Sequence, residues 1–340
     1  MPSAKIHATV ALLGFGNVGQ SFARYVLAGG DDNSLDIKIK AVADSSGGLL
    51  IDDDQSIYRL LNGKDSGQRI SEIFPNHSIA NQRGYIEAIY AAGIRTLVES
   101  LPTNLIDGQP ALGLIASALE RGINVVTVDK GPMVHGFDLL KRAAHEGGAK
   151  LGTSGTTGVA IPPELSGDRV LEIRGVLNGT TNYVLSEMQQ HQKPFEEALA
   201  KAQADGIAEP DPSLDVDGWD TVVKILILAK TLMTAETRLA DVSRIGIGAE
   251  TESLIKIGRE SGRLVRLVGR ARIWQGKVRV SVAPKLVEED SPFYSVSGTS
   301  KVATFRTETQ GVVLAKARSG RDAISQTIVD DIARLESAES

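Results

Sequence analysis

The sequence predicts an α/β chain in which an open, doubly wound parallel sheet is followed by a second, α+β domain. Three observations predict this order. Short apolar segments alternate with helical patterns over about the first 130 residues, a glycine-rich turn follows the first of them, and amphipathic strand patterns appear after residue 150. Alternating strand and helix patterns are typical of parallel sheets with helices on both faces.

The first half carries the elements of the parallel sheet. Residues 8–13, Ala-Thr-Val-Ala-Leu-Leu, are apolar except for Thr9, as expected of a strand that is buried in a parallel sheet. A helix is predicted over residues 20–28, directly after the glycine turn. Further strands are predicted over residues 37–43, 96–99 and 124–128, and a further helix over residues 110–120. We therefore expect a Rossmann domain over residues 1–135.

A second domain is expected over residues 136–314, where the pattern changes. A strand is predicted over residues 169–177, and antiparallel strands over residues 264–284, where apolar and polar residues alternate. Helices are predicted over residues 182–190, 194–205 and 218–233. The last 20 residues are helical in pattern, and the C-terminal segment from about residue 315 to residue 340 is expected to pack back on the first domain.

The composition excludes several classes of protein. The net charge is −5 and aromatic residues make up 4% of the chain, so neither a nucleic-acid partner nor an anionic membrane surface is indicated. The chain has no cysteine, which excludes disulfides, thiolate catalysis and cysteine-based zinc or iron–sulfur sites. No apolar run approaches the ~20 residues of a membrane span and no signal peptide is recognisable, so we expect a cytoplasmic protein.

Residues 14–19, Gly-Phe-Gly-Asn-Val-Gly, form a G-x-G-x-x-G sequence between the first strand and the first helix. In this context the first glycine permits a tight turn, the second lets a pyrophosphate approach the backbone, and the third lets helix and strand pack closely. The helix N-terminus adds amide donors and a positive dipole end. The pattern predicts a dinucleotide site, the alternative being a tight turn that binds nothing.

Asp44 ends the second predicted strand, 25 residues after Gly19. An acidic side chain at this point accepts a hydrogen bond from the ribose of NAD and repels the 2′-phosphate of NADP. No Arg or Lys follows immediately, so we predict a mild preference for NAD over NADP. The alternative is that Asp44 only caps the turn that follows it.

A run of carboxylates in the second domain precedes a lysine: Glu209, Asp211, Asp215, Asp217, Asp220 and Lys224. Carboxylates this close repel one another unless a metal ion, a lysine or a substrate ammonium lies among them. The spacing of a calcium loop is missing. Asp220 and Lys224 share one face of a helix that continues as an apolar run, so we expect a buried pair suited to proton transfer or substrate binding. The alternatives are a solvated acidic loop and an exposed ion pair.

Lys130 follows the strand at residues 124–128, at the edge where open α/β sheets bind their ligands. We therefore consider it a second functional lysine. A single lysine is more commonly a surface residue, which is the alternative.

Several longer segments resemble the homoserine dehydrogenase family. They are the glycine turn, residues 44–47, 98–104 and 122–130, the segment Leu-Asn-Gly-Thr-Thr-Asn-Tyr at 177–183, residues 204–212, the pattern Asp-x-Asp-Gly-x-Asp-x-x-x-Lys ending at Lys224, and residues 298–314. The resemblance runs from about residue 8 to about residue 335. It implies NAD(P)-dependent interconversion of L-aspartate 4-semialdehyde and L-homoserine, with a lysine as proton donor and acceptor.

The resemblance also implies roles for individual residues. Lys224 and Lys130 match the two functional lysines, Lys224 being the proton donor and acceptor, and Asp220 is grouped with them as catalytic. The substrate-binding positions are matched by Glu209, Asp215, Asn178, Gly179, Thr180 and Thr181. The cofactor-binding positions are matched by Gly14, Phe15, Gly16, Asn17, Val18, Gly19, Asp44, Ser100, Leu101, Thr103 and Lys130. An acidic cluster suits the substrate's ammonium group, and a lysine stabilises a developing alkoxide.

The resemblance further implies a homodimer formed through the second domain. Some relatives carry a regulatory C-terminal domain or a fused aspartate kinase. The sequence ends at residue 340, so we expect a short member of the family without either.

Three positions depart from the family pattern. Asp129 stands where asparagine is usual, Pro102 replaces a small hydroxyl residue near the expected nicotinamide, and Ser154 replaces a glutamate. Ser154 opens a loop that in the family wraps a monovalent cation, Na⁺ or K⁺, largely with backbone carbonyls; Thr157, Val159 and Ile161 retain carbonyls for such an ion. The departures keep open a related oxidoreductase for another small hydroxy- or amino-acid. A non-catalytic NAD-sensing protein is the alternative of a different class.

Overall fold

The computed structural model describes residues 6–29, 35–75, 79, 81–317 and 321–337. The chain divides into two compact units, the first formed by residues 1–156 and 320–340 and the second by residues 157–319. Within the described residues, no helix is long and apolar enough to cross a membrane.

The first unit is built around a six-stranded sheet. Its strands are β1 (Ile6–Leu13), β2 (Leu35–Asp44), β3 (Gly47–Leu50), β4 (Thr96–Glu99), β5 (Asn124–Thr127) and β6 (Leu151–Gly152). They lie in the order β3-β2-β1-β4-β5-β6. All neighbours are parallel except β3, which pairs antiparallel with β2. The chain runs from β1 to β2 on one side and reaches β4 on the other, so the strand order reverses between β1 and β4.

Helices connect these strands. They are α1 (Asn17–Leu27), α2 (Asp54–Asp65), α3 (Ile70–Ile73), α4 (Gln82–Ala91), α5 (Ala111–Glu120) and α6 (Lys130–Gly147). The sequence predicts α1 and α5 to within three residues but not α6, because Gly131, Pro132 and Gly136 obscure its helical pattern. Proline is tolerated in the first turn, where its missing N–H would have no partner anyway. Since α6 packs on α5 and β6 joins the sheet, the boundary of the unit lies after Thr156 rather than after residue 135.

A short helix, α7 (Ser154–Thr157), leads to the second unit, which has a sheet of its own. The strands are β7 (Val170–Val176), β8 (Ser243–Arg244), β9 (Leu264–Trp274), β10 (Lys277–Val287), β11 (Lys301–Thr307) and β12 (Val312–Ala317). The helices are α8 (Gly179–Gln190), α9 (Phe195–Ala204), α10 (Ser213–Val216), α11 (Trp219–Met233) and α12 (Thr251–Glu260). The sheet order is β12-β11-β7-β9-β10-β8, and only β8 is parallel to its neighbour.

Helix α11 packs against this sheet and is buried over almost its whole length. A Cβ placed on Gly269 of β9 would lie 3.1 Å from the Cβ of Ile225, so the missing side chain permits close packing of helix and strand. The apolar run from Ile225 to Ala229 is fully enclosed, as the sequence predicts. Packing against the sheet therefore fixes the positions of the residues on α11.

The last helix, α13 (Arg321–Ser337), belongs to the first unit and packs on α1. The Thr96 hydroxyl donates to Glu336 at 2.9 Å, and Lys150 donates to the Leu335 carbonyl at 2.9 Å. The predicted helix also includes residues 338–340, and the segment expected to pack back on the first domain also includes residues 318–320; both stretches lie outside the described residues.

Candidate active site

The glycine turn lies at the C-terminal end of β1, beside the end of β4, where the strand order reverses. Gly14 has a φ of +103°, and a Cβ there would lie 2.6 Å from the carbonyl carbon of Ser100. A Cβ on Gly19 would lie 2.2 Å from the Gly14 carbonyl oxygen. Both positions therefore require glycine for reasons internal to the fold.

Gly16 differs, because among the described residues none but its own chain neighbours has an atom within 4 Å of the position that its Cβ would take. It precedes Asn17, the first residue of α1, and no side chain caps this helix. The first amides of a helix have no partner inside it, so α1 offers uncapped donors next to an open position. Phe15 is buried, Val18 is half-buried and Asn17 is exposed. Space at Gly16 beside free amides fits a pyrophosphate group.

Asp44 ends β2 and is already engaged by the protein. Its Oδ1 accepts from the Ser46 amide at 2.7 Å and the Ser46 hydroxyl at 2.6 Å; its Oδ2 accepts from Lys64 and from the Ile70 amide. Burial favours the neutral acid, but the hydrogen bonds from Lys64 and Ser46 outweigh it and hold the pKa of Asp44 below its ordinary value. The capping alternative is therefore present in the structure. Lys64 was missed because it comes from α2, twenty residues further along the chain.

The segment after β4 carries the remaining residues predicted to bind the cofactor in this unit. The Ser100 hydroxyl donates to the Gly14 carbonyl at 2.9 Å and so fastens this segment to the glycine turn. Leu101 is half-buried, and its amide donates to a carboxylate at the end of β4. Pro102 and Thr103 are exposed.

That carboxylate belongs to Glu99, which the sequence did not single out. Glu99 is fully buried and accepts from the Thr127 hydroxyl at 2.5 Å and the Leu101 amide at 2.7 Å. Burial, reinforced by the nearby Asp129 carboxylate, raises the pKa of Glu99 to about 8. The available signal was a glutamate directly after the apolar residues Leu97 and Val98, at the C-terminal end of a short predicted strand.

Lys130 begins α6, and Asp129 caps that helix by accepting from the Gly131 amide at 2.9 Å. Asp129 is 1% exposed, and its Oδ2 makes no hydrogen bond to any of the described residues. Burial raises the pKa of Asp129, although the Gly131 amide opposes the rise. The departure from asparagine thus puts a second buried carboxyl group near Glu99 and beside half-buried Lys130.

In the second unit, Lys224 and Asp220 form the buried pair that the sequence predicts. Lys224 Nζ lies 2.6 Å from Asp220 Oδ2 and 3.0 Å from the Leu177 carbonyl oxygen, and both side chains are less than 15% exposed. Asn178 Nδ2 donates to Asp220 Oδ2 at 2.8 Å and to Asp215 Oδ1 at 2.5 Å. One amide therefore joins two carboxylates and a lysine from α10, α11 and the end of β7.

The residues after Asn178 differ from the prediction in their secondary structure. They were expected to end a strand, with the helix starting at residue 182, but α8 begins at Gly179 with Asn178 as its N-cap. Asn178 Oδ1 accepts from the Thr181 amide at 2.8 Å, and the Thr180 hydroxyl donates to the Ile207 carbonyl at 3.2 Å. Asn–Gly usually marks a turn, but here the side-chain cap starts a helix directly after the strand. Gly179, Thr180 and Thr181 are buried and directly follow Asn178, the residue that joins the carboxylates.

Three carboxylates of the acidic run lie outside this network. Glu209, Asp211 and Asp217 are exposed. Asp211 accepts from the Ser213 amide at 3.1 Å, while the Glu209 backbone carbonyl accepts from Gln203. The Asn178 amide therefore joins Asp215 and Asp220, while the Glu209 side chain is exposed.

Comparisons with known proteins identify the family. The sequence signature described as homoserine dehydrogenase matches residues 160–333, just over half of the chain. The homoserine dehydrogenase of Methanocaldococcus jannaschii is 31% identical over 96% of this chain and 98% of its own length. The chain belongs to the homoserine dehydrogenase family. The NAD(+)-dependent homoserine dehydrogenase of Pseudomonas canavaninivorans, also 31% identical, aligns over 96% of this chain and 95% of its own.

Solved structures agree with this assignment. A crystal structure of S. aureus homoserine dehydrogenase superposes with a TM-score of 0.75 at 26% identity, covering 97% of this chain and 76% of that one. As a homoserine dehydrogenase family member, the chain is an oxidoreductase that acts on a CH–OH group. The related-oxidoreductase and NAD-sensor alternatives are not favoured.

Other groups of the protein contact the loop at residues 157–161, which is expected to hold a monovalent cation in homoserine dehydrogenases. The Thr157 hydroxyl donates to the Val159 carbonyl at 3.0 Å, so one candidate ligand of the ion already has a donor. A Cβ on Gly158, where φ is +63°, would lie 2.8 Å from Lys301 Nζ. Ile161 is half-buried. A positive side chain in contact with the loop does not fit a second, metallic cation.

Ser154, which stands where the family has glutamate, is committed elsewhere. Its hydroxyl donates to Asp331 Oδ1 at 2.7 Å and its amide to Asp331 Oδ2 at 2.9 Å. This pair fastens α13 to the end of the parallel sheet, and Ser154 brings no anionic oxygen to the loop.

Proposed function

We propose that the chain interconverts L-aspartate 4-semialdehyde and L-homoserine with NAD(P) as hydride carrier. The observation that carries this proposal is the buried Lys224–Asp220 pair, separated by 2.6 Å and linked through Asn178 to Asp215. It combines a proton donor with carboxylates that suit the ammonium group of an amino acid.

The first unit is proposed as the cofactor domain. Gly16 leaves open space beside the uncapped amides of α1, and Ser100 holds the segment that carries Leu101 and Thr103 against the glycine turn. Phe15, Asn17 and Val18 complete the turn, and Gly14 and Gly19 set its shape. When bound, NAD(P) supplies the hydride for aldehyde reduction or accepts it in the reverse direction.

Lys224 is proposed as the proton donor in reduction and the acceptor in oxidation. Addition of a hydride to the aldehyde carbon leaves an alkoxide, which takes a proton from the ammonium of Lys224 and becomes the hydroxyl of homoserine. The positive charge on Lys224 also stabilises the alkoxide as it develops. Asp220 and the Leu177 carbonyl hold Nζ in place through two hydrogen bonds, so the lysine is oriented before the substrate arrives.

The substrate is proposed to bind at the N-terminal end of α8. Asp215 and Asp220 provide negative charge for its ammonium group, and Gly179, Thr180 and Thr181 provide amides and hydroxyls. Glu209 is assigned to the same site on the family resemblance alone. Lys130 is assigned to the reacting end of the cofactor, because it begins α6 at the C-terminal edge of the parallel sheet, where ligands of such sheets bind.

NAD is proposed as the preferred cofactor. Asp44 places a carboxylate where the adenosine ribose of a bound dinucleotide is expected, and the relative from Pseudomonas canavaninivorans is named as NAD(+)-dependent. The ion pair with Lys64 reduces the repulsion that Asp44 exerts on a 2′-phosphate, so we expect a preference rather than exclusion of NADP. No role in the reaction is assigned to a monovalent metal cation, because the loop expected to hold one does not fit it.

A homodimer formed through the second unit is proposed as the assembly. Strand β12 lies at the edge of its sheet and exposes Val312 and Leu314, 63% and 41% accessible. Exposed apolar side chains on an edge strand favour association. Sedimentation analysis of the purified chain tests this directly, a monomer at all concentrations being the contrary result.

The experiment that tests the reaction is a screen of substrates and cofactors at alkaline pH. L-Homoserine should be oxidised with NAD⁺ and, less efficiently, with NADP⁺, as followed by the absorbance of the reduced nicotinamide. L-Serine and L-threonine serve as controls, because they place the hydroxyl group one carbon nearer the ammonium group. No turnover of homoserine with either cofactor would overturn the proposal, and faster turnover of another hydroxy- or amino-acid would assign the site to that substrate.

A further inference from the structure

The loop at residues 157–161, here called the carbonyl loop, lies against a lysine of the same unit. Lys301 Nζ is 2.8 Å from the position that a Cβ on Gly158 would take, so the ammonium is in contact with the middle of the loop. Gly158 has a left-handed φ of +63° and no side chain to exclude Lys301. The close approach therefore depends on this residue being glycine.

The sheet fixes the position of Lys301. It is the first residue of β11 and pairs with Ala317 of β12, while the next residue, Val302, pairs with Val176 of β7. Its side chain is half-buried. The strand therefore fixes the backbone of Lys301, from which the half-buried side chain brings its ammonium into contact with the loop.

We propose that the Lys301 ammonium serves as a tethered cation for the carbonyl loop, in place of a monovalent metal ion. An ammonium group has three N–H donors and a size close to that of K⁺, so it suits a loop of backbone carbonyls. The anionic ligand is missing as well, since Ser154 replaces glutamate and is bound to Asp331. A loop without its carboxylate and with a fixed positive charge binds its own lysine rather than Na⁺ or K⁺.

This inference does not depend on the proposed substrate, because its first test needs no reaction. The thermal midpoint of the full cofactor-free chain is measured in KCl, NaCl and choline chloride at equal ionic strength of about 0.1 M, so that screening is constant. The choline ion is too large for a loop of carbonyls. The midpoint should agree among the three salts to within about 1 °C, since a metal ion that binds only the folded chain would raise it.

Variants then test Lys301 itself. Lys301→Met removes the charge and keeps much of the side-chain length, so it should open the loop to a metal ion. Its thermal midpoint should be lowered in choline chloride and restored by KCl or NaCl, by about 3 °C or more. Lys301→Arg keeps a charge and should remain independent of the cation. Lys316→Met is the matched control, because Lys316 lines the same 300 Å³ cavity as Lys301 on the neighbouring strand but is exposed.

Turnover provides a second readout. The wild-type chain should give the same kcat/KM in all three salts, and Lys301→Met should need Na⁺ or K⁺. A saturable rise of the wild-type midpoint or kcat/KM with Na⁺ or K⁺ would overturn the proposal. A folded Lys301→Met chain that is indifferent to the cation would do the same. Loss of homoserine turnover in every salt, with the midpoints as predicted, would count against the proposed reaction and leave the tethered cation supported.

Discussion

Glutamine at position 99 should stabilise the chain, and increasingly so as the pH rises. Glu99 is fully buried at the end of β4, and its folded pKa is about 8 against an ordinary value of 4.5. The folded chain therefore keeps a proton that the unfolded chain releases, so the free energy of unfolding falls as the pH rises from 4.5 towards 8. At about 1.36 kcal/mol for each pH unit between the two values, the loss is on the order of 5 kcal/mol.

The Glu99→Gln substitution removes this loss and keeps the hydrogen bonds. The amide oxygen of glutamine can accept from the Leu101 amide, and its NH2 group can donate to the Thr127 hydroxyl oxygen, which reverses the direction of that hydrogen bond and costs far less than the ionisation it removes. The variant should resemble the wild type near pH 5 and exceed it by several kcal/mol near pH 8.5. The Asp129 carboxylate also loses a charged neighbour, which acts in the same direction.

Urea unfolding followed by circular dichroism, at about pH 5.5 and about pH 8.5, measures the difference. Glu120→Gln is the control, because Glu120 is an exposed glutamate at the end of α5 in the same unit and its removal should leave the pH profile unchanged. Parallel pH profiles for Glu99→Gln and wild type would refute the argument, since they would mean that Glu99 binds the same number of protons in the folded and unfolded chains.

Four further substitutions test the two candidate sites. Asp44→Ala should lower kcat/KM for NAD⁺ by about tenfold, which corresponds to the loss of one charge-assisted hydrogen bond. The kcat/KM for NADP⁺ should be unchanged or higher, because Lys64 loses its partner. Equal losses of kcat/KM with both cofactors would favour the capping role alone. Gly16→Ala should leave the thermal midpoint unchanged and raise the KM for the cofactor at least about tenfold. Gly19→Ala should lower the midpoint, because its Cβ would lie 2.2 Å from a carbonyl oxygen. A midpoint that falls in Gly16→Ala and not in Gly19→Ala would contradict the assignment of open space to Gly16. Asn178→Ala removes the donor that Asp215 and Asp220 share and should lower kcat/KM for homoserine at least about tenfold. Isothermal titration should show that the variant binds NAD⁺ as the wild type does. Unchanged homoserine kinetics would mean that Asn178 is not part of the substrate site.

Much of the first unit could be predicted from the sequence, because its signals are local. The mostly apolar segment at residues 8–13, the glycine turn and the predicted helix follow one another within about twenty residues, and the structure has them as β1, the turn and α1. The pair Asp220–Lys224 could be predicted in the same way, since a four-residue spacing on an apolar helix places both on one buried face. Family membership and the α/β fold are confirmed.

The features that escaped prediction depend on contacts between distant segments. Lys64 reaches Asp44 only because α2 folds back over the end of β2, and Lys301 reaches Gly158 only because β11 lies beside β7 in the sheet. The helical start at Gly179 depends on the Asn178 cap, which overrides the turn preference of Asn–Gly. Glu209 was grouped with its sequence neighbours, but its side chain is exposed, whereas the Asn178 amide joins Asp215 and Asp220.

Proton transfer by Lys224 is the central claim, and Lys224→Ala tests it most directly. Single-turnover oxidation of L-homoserine by the variant, with NAD⁺ binding measured on the same sample, separates chemistry from cofactor binding. The account predicts that the chemical step slows by about 10³-fold or more, within the range for a lost general acid–base, while NAD⁺ binds as in the wild type. A chemical step within about tenfold of wild type would contradict it, because the proton would then come from another group.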